Sequence, residues 1–138
     1  MSYLPLLALL LATTAAPASP LGLGELPQQS LAKGSCALFL WDRASRQRVV
    51  MVTAAPARIM VMRDGQPVLL GLSGSTGAAI LGFAPHASYG EGTAQITIDL
   101  AVLRAEGGGG IVRDGAITVT TGDGSSVVAP VAGIIGCS

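Results

Sequence analysis

Two cysteines bracket most of what this chain has available to fold. Cys36 opens its densest apolar run, Cys36-Ala37-Leu38-Phe39-Leu40-Trp41, and Cys137 is the penultimate residue. A bond between them requires Cα atoms within about 7 Å. It would place the first and last elements of the intervening chain side by side. It would also close a loop of about 100 residues, for which chain entropy gives about 4.7 kcal/mol of stabilisation. Whether the pair is oxidised depends on compartment, because disulfides persist where the surroundings are oxidising.

The N-terminus speaks to compartment. Leu4 to Ala16 is almost wholly apolar and runs into Ala16-Pro17-Ala18, a small-residue pattern that fits a signal peptidase site. The segment falls short of the roughly 20 residues that span a bilayer. Pro5 within it, and Pro17 and Pro20 after it, argue against a buried helix. No Lys or Arg precedes it, so the free amino terminus alone supplies the positive charge of an export signal. Residues 1–18 therefore read as a signal peptide, cleaved after Ala18 or alternatively after Ala16, with the mature protein periplasmic or secreted. In that setting Cys36 and Cys137 are expected to pair. A lipid-bearing cysteine would have to follow the apolar segment directly; Lys33-Gly34-Ser35 precedes Cys36 instead.

The next stretch, residues 19–35, carries Pro20, Gly22, Gly24, Pro27 and Gly34 and shows neither helical nor strand periodicity. It reads as a flexible lead-in, with Leu21, Leu23 and Leu26 able to lie along a domain surface. From residue 36 to 138 the repeating unit is the short strand. Cys36–Trp41 is apolar on both alternating faces, as in a strand covered on each side. Arg48–Ala54 follows a polar turn and is rich in β-branched residues. Arg58–Arg63 and Pro67–Leu72 flank Asp64-Gly65, a strong hairpin signal because a type I′ turn needs φ > 0. Ala94–Arg104 alternates most cleanly, with Ile96, Ile98, Leu100 and Val102 on one face. Gly107–Gly110 is a loop, and further Asp-Gly turns are expected at Asp114-Gly115 and Asp123-Gly124. Pro130 precedes a last strand, Val131 to Cys137.

The expected fold is a single all-β domain, a small β-sandwich or barrel of about 7–9 short antiparallel strands, with the first and last adjacent and disulfide-linked. A membrane-spanning barrel would need strands of about 9–11 residues and aromatic girdles. Short strands and an aromatic content of 4% speak against one.

Composition narrows the partners. Net charge is zero and charged residues are 12% of the chain, so no basic excess exists to displace counterions from nucleic acid. Arg43, Arg46 and Arg48 cluster at the first turn and read as a solvated turn, the alternative being bidentate contacts to an anionic partner such as a carboxylate or phosphate. Met51, Met60 and Met62 read as core filling. No metal or cofactor is expected: one histidine and two paired cysteines cannot furnish a zinc set, and the aspartates belong to turns. Gly71 to Gly77 lacks the Gly-Lys-Ser/Thr ending of a phosphate-binding loop.

His86, in an expected loop Ala84–Gly90, is the sole histidine. On paper it completes a triad with Ser73 or Ser75 and Asp99, but Gly71-Leu72-Ser73-Gly74-Ser75 has serine where a nucleophile elbow needs its second glycine. Gly71–Gly82 is instead read as a long small-residue loop. Together with its surroundings it supplies the candidate partner-binding residues Ser73, Gly74, Ser75, His86 and Tyr89.

Gly34-Ser35-Cys36-Ala37-Leu38-Phe39-Leu40-Trp41 and Pro130-Val131-Ala132-Gly133-Ile134-Ile135-Gly136-Cys137 resemble small exported proteins of unknown function from Gram-negative bacteria. That resemblance implies a periplasmic β domain with joined terminal strands. Asp64-Gly65, an apolar strand and Ser73-Gly74 are similar in order to the strand and Ser-Gly loop of the membrane-bound C-type lysozyme inhibitors. The resemblance implies contacts from Ser73 and Gly74; Thr76 stands near that family's aromatic position, and Glu91-Gly92 replaces its Lys-Gly. The expected function is accordingly a non-catalytic exported domain that binds an envelope protein or glycan, or has a structural role there. The alternatives are an inhibitor of an envelope hydrolase and, more remotely, a small hydrolase.

Overall fold

The alternating apolar runs become antiparallel strands that close on themselves. The computed structural model describes residues 21–138; the export signal expected over residues 1–18 lies outside the described residues. The elements are β1 (Cys36–Asp42), β2 (Arg48–Ala54), β3 (Ala57–Arg63), β4 (Gln66–Thr76), β5 (His86–Glu91), β6 (Ala94–Arg104), β7 (Gly110–Thr120) and β8 (Ser126–Cys137). Each pairs with the next in sequence, and β8 pairs with β1, giving a closed eight-stranded up-and-down barrel. Closure leaves no sheet with two open edges.

The seam is where the cysteines meet. Cys36 stands opposite Cys137 in the β1–β8 ladder, and their sulfurs are bonded at 2.06 Å. Beside them, Ser138 N donates to Ser35 O at 2.9 Å and Gly34 N to Ser138 O at 3.1 Å, so pairing continues past the disulfide.

Inward-facing residues fill the barrel. Leu38, Leu40, Val50, Val52, Ile59, Ile96, Ile98, Ile117 and Val131 are all buried in one cluster, which Phe83 also joins. On β6 the expected face, Ile96, Ile98 and Leu100, points inward, with Val102 packed against the cluster. Interior volume is thus taken up by side chains, as in small barrels generally.

A second, outer cluster explains why β1 is apolar on both faces. Ala37, Phe39 and Met51 turn outward and are covered by Leu26, with Leu31, Trp41, Met60 and Met62 around them. This corrects the expectation of a flexible lead-in. Leu21 and Leu23 are buried in the interior cluster, whereas Leu26 is buried in the outer one. Between them, Gly24 N bonds Met62 O at 2.9 Å and Leu26 N bonds Arg48 O at 2.8 Å. The β2–β3 ladder stops at Met51 and Met60. The lead-in passes through the resulting split from the interior to the outside. Arg48 fastens it there, its Nη2 donating to Leu26 O at 3.2 Å and Pro27 O at 2.9 Å, with the guanidinium 5.6 Å from the Phe39 ring.

Turn chemistry divides. Asp64 and Gly65 both have positive φ, 51° and 74°, as a type I′ turn requires. Asp123 also sits in a turn: the Thr121 hydroxyl first, and the Ser125 amide at 2.9 Å, hold its carboxyl below the ordinary value. Asp114-Gly115, by contrast, lies inside β7. There the register shifts against both β6 and β8, so Arg113 is the extra residue of a bulge and the reversal is left to Gly107–Gly109.

Three further expectations change. β4 runs to Thr76 and β8 runs unbroken through Pro130, so β4, β6 and β7 have 11 residues and β8 has 12. These are not short strands, and strand length therefore gives no argument about membrane crossing. His86 starts β5 rather than sitting in a loop. The genuine loop is shorter, 77–85, pinched by mutual backbone bonds of 3.0 Å between Ile80 and Phe83.

The first turn, finally, is organised by Asp42, the one buried charged residue described. Its carboxylate accepts from Ala44 N at 3.1 Å and Ser45 Oγ at 3.0 Å, and its carbonyl accepts from Arg46 N at 2.7 Å. A buried carboxylate with its acceptor sites filled is a stable arrangement.

Candidate functional site

Because side chains occupy the interior, the surfaces open to contact are the outer wall and the gaps in it. Ladder register shows what that wall presents. Leu103, Ile111, Ile134, Phe39, Met51, Met60 and Leu69 stand opposite one another in turn across β6, β7, β8, β1, β2, β3 and β4. Directly opposed residues in antiparallel strands point to the same side. The lead-in covers the middle of this row. Its ends remain exposed: Ile111 at 40%, Ile134 at 47% and Leu103 at 53% on one side, Leu69 at 48% on the other.

Beside Ile111 and Ile134 the wall carries a shallow, wide-open groove of about 780 Å³. Ala132 and Gly133 of β8 form a low floor, and Trp41 of β1 and Ile111 of β7 form apolar sides. The rim is charged. Arg43 reaches from the first turn to the bulge in β7, where its Nη2 donates to the Arg113 carbonyl and lies 3.5 Å from Asp114 Oδ1. Arg113 itself is exposed at the rim. An indole and two isoleucines edged by guanidinium groups suit a partner with an apolar or sugar face and an anionic or hydrogen-bonding edge.

The residues singled out from sequence lie elsewhere, on and under the outer face of β4–β6. Ser73 and Gly74 are on a strand rather than in a loop; Ser73 Oγ donates to Ser88 O at 3.0 Å. Ser75 is opposite Ala87, which is buried, while Thr76 is opposite His86. Tyr89 is buried among interior residues, where desolvation pushes its hydroxyl up to about 12. Of the expected group, then, Tyr89 offers no exposed surface.

His86 and Asp99 are brought together. They oppose each other in the β5–β6 ladder, and His86 Nδ1 contacts Asp99 Oδ1, both side chains being about half exposed at 48% and 53%. That is the base-and-orienter half of a hydrolytic triad. The nucleophile half does not assemble as expected: Ser73 Oγ is engaged with a backbone carbonyl and Ser75 lies out of row with His86. The polar row continues as Ser88 Oγ to Thr97 Oγ1 at 3.0 Å. Among the described residues, no three His, Cys, Asp or Glu side chains converge on a point.

The groove is not legible in the sequence. Its signal is weak in sequence, since Trp41 and Ile134 read as core until the register shows that they face outward. No family model matches the chain, and comparison with curated proteins and with solved structures finds no match.

Proposed function

We propose that this chain is an exported, non-catalytic binding barrel of the cell envelope that meets its partner, an envelope protein or glycan, at the groove beside Trp41. The observation that carries the reading is the uncovered apolar wall formed by Trp41, Ile111 and Ile134 on a barrel whose interior is already filled. Clusters of exposed aliphatic side chains edged by charge mark interaction sites more often than chance surface. The oxidised Cys36–Cys137 pair supports a periplasmic or secreted location, as does the apolar leader read from residues 1–18. The resemblance to small exported proteins of Gram-negative bacteria points the same way.

A photo-crosslinking amino acid at position 134, in the protein expressed with its leader, tests this. The expected outcome is one discrete adduct from position 134 and none from position 128, which is 64% exposed but outside the groove. The same adducts from both positions, or none from position 134, would reject the groove.

The hydrolase reading retains one favourable observation, the His86–Asp99 pair. Labelling by a serine-hydrolase probe that is lost in His86→Ala would favour it over binding.

A further inference from the structure

β3 parts from a neighbouring strand at each of its ends, and the two gaps are treated differently. At one end the β2–β3 ladder stops at Met51 and Met60, and the lead-in fills the split with the backbone bonds of Gly24 and Leu26 described above. At the other end the β3–β4 ladder stops at Arg58 and Gly71, because β3 begins at Ala57 and the chain turns back through Ala55-Pro56 into β2. β4 nevertheless continues to Thr76. Among the described residues it is paired over Gly74 to Thr76 on one side only, with Ser88, Ala87 and His86 of β5. Every residue from Gly71 to Ala79 is exposed.

We infer that the free edge of β4 at Ser73–Thr76 is a strand-acceptor site that takes an extended segment of a partner protein, as the first split takes the lead-in. A strand in this position presents unpaired N–H and C=O groups in a row, and an added strand satisfies them. Exposed edges are usually protected by charge or proline; Ser73-Gly74-Ser75-Thr76 has neither. The gap also has a pocket for a side chain. A cleft of about 160 Å³ lies between the β2–β3 tip and the β4 edge, walled by Ala54, Ala57, Leu72 and Tyr89 and bounded by Phe83 and Ala84 of the 77–85 loop. Alternate residues of an added strand point to the same side. The segment that fits is therefore extended, with a small aliphatic side chain such as valine entering this cleft. The inference is independent of the Trp41 groove, which lies across β1, β7 and β8.

The probe is a blocked hexapeptide of alternating threonine and valine, titrated into isotopically labelled, disulfide-intact protein while backbone amide resonances are followed. Shifts concentrated at Ser73 to Thr76 and their β5 partners are expected. The same peptide methylated at its backbone nitrogens should leave those amides unmoved, and tryptophan in place of the central valine should weaken binding at least about tenfold. Three results would overturn the assignment: no shift at peptide concentrations of about 1 mM, equal effects from the methylated peptide, or shifts confined to the groove. Sedimentation of the protein alone as a dimer, with those same amides altered on dilution, would assign the edge to a second copy instead.

Discussion

Gly133 of β8 lies so close to Phe39 of β1 that a β-carbon on it would overlap the Phe39 carbonyl oxygen. The two strands are held at this approach along the same seam that the disulfide closes. Gly133 stands opposite Leu40 and Val112, both interior residues, so the absent side chain lies on the inner side of the wall.

Gly133→Ala should therefore be costly. The obstacle is backbone, which cannot swing aside as a flexible side chain would, so a loss of about 3 kcal/mol is expected, at the upper end for overpacking. Gly136→Ala, three residues along and with open space around it, should change stability by no more than about 0.5 kcal/mol. Urea unfolding of the two variants measures the contrast; equal midpoints would mean that β1 and β8 are not so closely apposed.

Arg48 should prove to be the fastener of the lead-in. Arg48→Met keeps the aliphatic stem but removes the donors to Leu26 O and Pro27 O. Both bonds come from the one nitrogen Nη2 and the second is exposed, so together they count as about one charged hydrogen bond, and a loss of about 2 kcal/mol is expected. Cleavage by a non-specific protease within residues 27–33 should accelerate in the variant. Leu23→Ala should cost about 2–4 kcal/mol because that side chain is in the interior cluster. An unattached tether would show neither effect.

Tyr89 sets an alkaline limit. Burial raises its hydroxyl from 10.0 to about 12, so the folded state favours the protonated phenol. Its contribution to stability is complete below pH about 10 and is lost as the pH rises from there through 12, a decline of about 3 kcal/mol in all. Tyr89→Phe has no hydroxyl to ionise and should lack this part of the decline. Unfolding free energies at pH about 9 and about 11.5 compare the two proteins; parallel losses would mean that the phenol ionises freely in the fold.

How far the sequence foretold this structure can be judged at particular residues. Ala94–Arg104 was legible because a half-buried strand writes its period directly into the chain, and Asp64-Gly65 because only a few residue pairs accept two positive φ values. Asp114-Gly115 carries the same local chemistry yet became a bulge, since Gly107–Gly109 had already turned the chain and β7 had to span the full wall. Leu21 and Leu23 show no period because they are held by the interior of a barrel formed entirely downstream of them. The His86–Asp99 contact and the outward aspect of Trp41 and Ile134 depend on strand register, a non-local property that no short stretch encodes.

The account stands on an exported barrel joined at its seam, and the intact mass of protein freshly isolated from the envelope fraction tests this most directly. It predicts a chain that begins at Ser19, or at Pro17 if cleavage follows Ala16, with a mass about 2 Da below the dithiol form because Cys36 and Cys137 have lost their hydrogens. A chain that retains residues 1–18, or one whose two thiols react with alkylating reagent without prior reduction, would contradict it.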